Sequence, residues 1–143
     1  MASPYNLTTG ADGKFQHIST EYTVIKKEID FSKVNLDVTP IGPVTGAATV
    51  NVLTLPAGFL CLSVIAKVKT ASAASKTVDI SDSGSKLWID NLDTATVATT
   101  INASSFDDGR KLYSTQGTMN VVFPASGFPT TGTLELTVVG FQL

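Results

Sequence analysis

An all-β fold, a single-domain two-sheet β-sandwich of jelly-roll type, is what three features of the 143-residue sequence predict. Its 20 Thr and 14 Val each outnumber the 12 Leu, a bias toward side chains that fit a pleated surface. Apolar and polar residues alternate with a period of two through several short runs, and clusters of Gly, Pro, Asp and Ser separate those runs. No helix-length window repeats apolar residues at i, i+3, i+4 and i+7, so no amphipathic helix is expected.

The elements follow in order. Residues 1–17 hold Ser3, Pro4, Asn6, Thr8, Thr9, Gly10, Asp12 and Gly13, too polar a set to bury a core of their own, and read as an extended N-terminal arm. The sandwich is expected over 18–143. Ile18, Thr20, Tyr22 and Val24 alternate on one face, then Ile25, Lys27, Ile29 and Phe31 after a one-residue slip, which predicts a bulge near Val24-Ile25. Val34, Leu36 and Val38 alternate again as a second strand until Pro40, Gly42 and Pro43 stop it. A third run over Ala48, Val50 and Val52 ends in a tight turn at Leu55-Pro56-Ala57-Gly58.

The strongest strand, Phe59 to Val68, is expected to turn Leu60, Leu62, Val64, Ala66 and Val68 to the core. Thr77 to Ile80 forms a short strand that the turn residues Ser81-Asp82-Ser83-Gly84 terminate, and Leu87-Trp88-Ile89 opens another. Thr94 to Ile101 reads as a strand or a short helical turn. Asp107-Asp108-Gly109 is a turn signal before a short strand Lys111 to Tyr113, and Met119 to Phe123 is a strand before Pro124. Thr133 to Phe141 closes the chain with Leu134, Leu136 and Val138 inward.

Charge excludes several functions. Charged residues make up 15% of the chain, against about 25% in an average soluble domain, and the net charge is −2. The longest basic runs are Lys26-Lys27 and Arg110-Lys111, too short for the clustered positive surface of a nucleic-acid binder, so no nucleic-acid partner is expected. The longest apolar stretch, Phe59 to Val68, is interrupted by Ser63 and Lys67 and falls short of the roughly 20 residues of a bilayer span, so no membrane partner is expected either. Met1 to Gly13 lacks the basic and apolar regions of a signal peptide, which points to synthesis in a cytoplasm.

The search for chemistry finds little. Cys61, the single cysteine, lies in an apolar run as a small buried hydrophobe, and the single histidine, His17, sits by the arm, so the two are not expected to meet as nucleophile and base. Two such ligands cannot build a zinc site. Asp79 and Asp82 could offer oxygens to calcium, but their spacing is not that of a calcium-binding loop, and Asp and Ser before Gly are ordinary turn residues. The same holds for Asp107 and Asp108. No Gly-rich phosphate loop occurs, and no aromatic cluster accompanies a carboxylate pair as glycoside cleavage would need. No catalytic residue, cofactor or metal is expected, which favours a binding or structural role over a hydrolase.

Leu55-Pro56-Ala57-Gly58 leading into Phe59 to Val68, then Thr77-Val78-Asp79-Ile80-Ser81-Asp82-Ser83-Gly84, Trp88, and the closing Thr133-Leu134-Glu135-Leu136-Thr137-Val138-Val139 together resemble small β-sandwich virion proteins of tailed bacteriophages. The pattern looks most like the cement or decoration proteins of phage heads, and it covers roughly residues 45 to 143. The resemblance implies a non-enzymatic capsid protein, synthesised in a bacterial host and acting as a homotrimer on the outer surface of an icosahedral head. There it would bind the major capsid protein and reinforce the shell. The arm would then supply anchoring contacts to the shell or a neighbouring subunit through Tyr5, Leu7, Phe15 and Ile18. The competing reading is a head-fibre or tail-fibre module that recognises a host-surface glycan, for which Trp88, Tyr113 and Phe128 would have to be exposed.

Overall fold

The computed structural model describes residues 22–102 and 110–143. They form nine strands: β1 (Thr23–Asp30), β2 (Ala48–Leu55), β3 (Phe59–Thr70), β4 (Thr77–Asp82), β5 (Leu87–Asp93), β6 (Thr99–Ile101), β7 (Lys111–Tyr113), β8 (Gly117–Phe123) and β9 (Thr133–Gln142). One sheet runs β1-β9-β3-β6, with β7 also paired to β3, and the other runs β2-β8-β4-β5. Every pairing is antiparallel. With the short β7 set aside, this is the strand order of a jelly roll, as the sequence predicts. The arm, with Tyr5, Leu7, Phe15 and Ile18, lies outside the described residues, as do His17 and the Asp107-Asp108-Gly109 turn.

The two inner faces meet in one apolar core. Phe31, Leu55, Phe59, Val64, Ile80, Met119, Val121, Phe123, Leu134 and Leu136 are all essentially sealed from solvent. Phe31 meets Phe123 edge to face at 5.9 Å between centroids, the arrangement the ring quadrupoles favour. Asp30 precedes a 3-10 turn at Phe31–Lys33 and accepts hydrogen bonds from both the N–H and the hydroxyl of Ser32, which holds Phe31 at the entrance to the core.

Bulges decide which predicted faces hold. In β3, Val64, Ala66 and Val68 face the core as expected, but the partner register skips a residue between Cys61 and Ser63. The extra residue reverses the alternation, so Phe59 and Cys61 take the inner positions while Leu60 and Leu62 are left half-buried. In β1 the predicted bulge at Val24-Ile25 is absent: the register with β9 runs unbroken from Thr23 to Asp30. Ile25 and Ile29 pack on the core, and Tyr22 and Val24 are exposed on the opposite face. Alternation of Val34, Leu36 and Val38 does not make a strand. A single bridge joins Asn35 to Gly42, and Asn35 accepts a hydrogen bond from the Asp37 N–H, a local turn that outcompetes a ladder. The Thr94 to Ile101 segment resolves as a strand only at Thr99–Ile101.

Two residues show how closely β3 and β9 are fitted. Gly58, at φ +82°, supplies the positive φ of the Pro56-to-Phe59 turn, whose Phe59 N–H donates to the Pro56 carbonyl at 3.2 Å. Gly140 lies against β3, where a Cβ would strike the Leu60 carbonyl oxygen and come within 2.8 Å of the Phe59 ring. Gly140→Ala should therefore cost about 1–3 kcal/mol through forced movement of backbone and ring, measurable as a fall in denaturant midpoint. Val64→Asp should abolish folding, because it buries an unpaired carboxylate, whereas Leu62→Asp, at the bulge, should leave a cooperative unfolding transition; equal loss from both would contradict the bulge.

Candidate interaction surface

The buried polar groups come first, because chemistry would reside there. Cys61 is sealed in the core, and burial pushes its thiol up to about 12, so it is no nucleophile. Asp79 and Asp82 do not converge. Three residues apart on β4, they fall on opposite faces: Asp82 points inward while Asp79 is half-buried, its carboxylate accepting the Asn91 N–H at 2.8 Å. Among the described residues no three His, Cys, Asp or Glu side chains come together as metal ligands.

The Asp82 carboxylate is fully buried and fully used. One oxygen accepts the N–H groups of Gly84 at 2.8 Å and Lys86 at 2.9 Å, closing the β4-β5 turn. The other accepts the Tyr113 hydroxyl at 2.6 Å and the Lys111 ammonium at 2.9 Å, tying β4 to β7 in the opposite sheet. Desolvation alone would raise the Asp82 pKa, but the hydrogen bonds from Tyr113 and Lys111 outweigh it and hold the carboxyl below its usual value. Burial, reinforced by Asp82, drives the Tyr113 phenol far above its ordinary range. The cluster is thus a cross-sheet brace in which Asp82 is held charged and Tyr113 neutral.

Trp88 is 3% exposed and Tyr113 5%, with Lys86 over the Trp88 ring and Lys111 over the Tyr113 ring, and Phe128 packs on the core. None of the three forms the exposed aromatic platform that glycan recognition requires. The open cleft of about 480 Å³ between residues 34–37 and β2 is lined by Asp37 as its one titratable group, so it holds no acid/base pair.

The outer face of the β1-β9-β3 sheet carries a ladder of rows set by the strand register. Tyr22 stacks on Phe141 at 4.9 Å, Phe141 pairs with Leu60, and Leu60 pairs with Leu112. The next row sets Val24 beside Val139 and Ser63. Below it Lys26, Thr137, Ile65 and Ile101 lie level, and then Glu28, Glu135, Lys67 and Thr99. Tyr22, Val24, Ile101 and Leu112 each expose half or more of their surface. Asn102 bridges the gap between β6 and β7: its backbone N–H donates to the Val64 carbonyl and its side-chain oxygen accepts the Val64 N–H at 2.8 Å. Period-two alternation hid this face, because Leu60 and Val24 look equally suited to a core until the pairing with β9 fixes the register.

No protein-family model and no curated protein matches the chain. Among solved structures, its fold is similar to a chain of the acidic stable capsid structure of Helicobacter pylori bacteriophage KHP30, with a TM-score of 0.55 at 13% identity over 88% of this chain and 92% of that one. It is also similar to a chain of the capsid of Ralstonia phage GP4, with a TM-score of 0.51 at 15% identity over 88% and 87% of the two chains.

The Asp82 brace makes a pH prediction. Asp82→Ala leaves a buried hydroxyl and two N–H groups unpaired and should cost about 3–5 kcal/mol at neutral pH. Because the folded-state pKa lies below the unfolded value of about 4, the carboxylate's contribution is complete above that pH and is lost as pH falls through the folded value. The gap between wild type and Asp82→Ala should therefore narrow only below about pH 4 in urea titrations.

Proposed function

We propose that the chain is a virion structural protein of a tailed bacteriophage, specifically a cement or decoration protein on the outer surface of the icosahedral head. On this reading it binds the major capsid protein as a homotrimer and reinforces the shell, and it is synthesised in the host bacterial cytoplasm. The observation that carries the reading is the jelly-roll likeness to chains of two phage capsids, which spans nearly the whole of each chain. The side chains support it. The buried Asp82 and Tyr113 groups, with Lys111, brace the fold rather than converge on a substrate, and the informative surface is a broad sheet face, suited to another protein surface rather than a small molecule. No enzymatic role is assigned.

In this reading residues 1–17 are an arm that anchors the domain, with Tyr5, Leu7, Phe15 and Ile18 as contact residues and 18–143 as the folded unit. Purified chain added to phage heads that lack it should pellet with them and saturate at a fixed ratio to the major capsid protein. Deleting Met1 to Gln16 should preserve the β-sheet circular dichroism while weakening attachment by about tenfold or more. A chain that stays in the supernatant at saturating concentration overturns the cement role. Undiminished attachment of the truncated chain removes the arm from it.

A further inference from the structure

We infer that the outer face of the β1-β9-β3 sheet is a self-association surface, on which two copies of this chain pack face to face about a two-fold axis running along the strands between β3 and β9. The inference rests on strand register and charge, independently of the capsid reading. Turning the face over about that axis lays β9 on the partner's β3 and β1 on the partner's β6 and β7, while each row stays level with itself. Phe141 then meets Leu60 of the second copy, both of them partly buried already, and Tyr22 meets Leu112, each of which is now half or more exposed, so apolar side chains cover one another. Glu135 meets Lys67, and by symmetry Lys67 meets Glu135, giving two ion pairs for one register.

The position of the axis is what makes the argument specific. An axis on β9 sets Glu135 against its own copy, an axis on β3 sets Lys67 against its own copy, and an axis between β1 and β9 sets Glu28 against Glu135. Of these four axes only the one between β3 and β9 avoids like charges in this row, and it is the one that overlaps all four strands. Glu28 there faces Thr99 and is already paired with Lys69 at 3.0 Å within its own chain. Lys26 faces Ile101, over which its methylene stem can lie with the ammonium in water. The area suffices as well. Four strands at about 4.8 Å spacing and eight residues at about 3.4 Å make a footprint on the order of 500 Å² per copy. Two such faces reach about 1,000 Å², the lower bound of specific interfaces and the size of weak, transient ones. A two-fold contact cannot itself build a trimer, so in a capsid it would join neighbouring trimers.

The test uses the full chain and two exposed charges. In sedimentation equilibrium, wild type should show a concentration-dependent two-fold association. Glu135→Lys and Lys67→Glu should each weaken it by about tenfold or more, since each reverses two symmetric contacts. An equimolar mixture of the two variants should restore it, because each then presents the charge its partner lacks, although the unfavourable pair within each chain persists. Thermal unfolding of each variant checks that both are folded. Wild type that shows no two-fold association at 100-fold above micromolar concentration, association indifferent to either reversal, or a mixture no tighter than its components overturns the inference. Binding of the face to the major capsid protein alone, with no self-association, overturns it equally.

Discussion

The pairing of β3 with β9 is the constraint on which the rest of the molecule depends. These are the two longest strands, and each has a neighbour on its other side, β1 on β9 and β6 and β7 on β3. Their register fixes which side chains enter the core from the larger sheet: Phe59, Cys61, Val64, Ala66 and Val68 from one strand, Leu134, Leu136 and Val138 from the other. Gly140 permits that register, since the Phe59 ring and the Leu60 backbone occupy the space any side chain would need. The bulge opposite it then turns Leu60 outward beside Phe141. A packing requirement inside the sandwich thereby creates the apolar row outside it.

The Asp82 cluster shows the same economy in polar groups. A buried carboxylate is tolerated only when every lone pair finds a donor, and here two backbone N–H groups, a phenol and an ammonium supply them. The brace couples the β4-β5 turn of one sheet to β7 of the other, which explains why a strand of only three residues persists at the sheet's margin. Those groups are consumed by structure. The Lys67 and Glu135 pair, by contrast, lies on the outside, where charges govern which partner fits and in what orientation more than how stably the chain folds.

The legibility of the fold divides along physical lines. The all-β class, the jelly-roll type and most strand positions are readable from turn chemistry and period-two alternation, as at Leu55-Pro56-Ala57-Gly58 and through Leu134, Leu136 and Val138. Alternation gives faces only up to a parity, and one inserted residue flips it. Leu60 and Leu62 were therefore indistinguishable from core residues in sequence, because the bulge at Cys61/Ser63 depends on a partner strand about 80 residues away. The apparent slip at Val24-Ile25 has the opposite cause: two apolar residues in succession simply serve two faces, one of them outward. Asp82 closes β4 instead of lying in the turn that follows, which its side chain caps, and its bonds to Tyr113 and Lys111 are tertiary and leave no local pattern.

Fold, buried chemistry and surface support the proposed role, in which the protein works by contact. The proposed capsid setting rests on the likeness in fold to chains of two phage capsids. The most direct measurement is the copy number of this chain relative to the major capsid protein in purified particles of the phage that encodes it, by quantitative mass spectrometry. A fixed, small-integer ratio to the shell subunits is predicted; a handful of copies per particle, or none, would contradict a cement role.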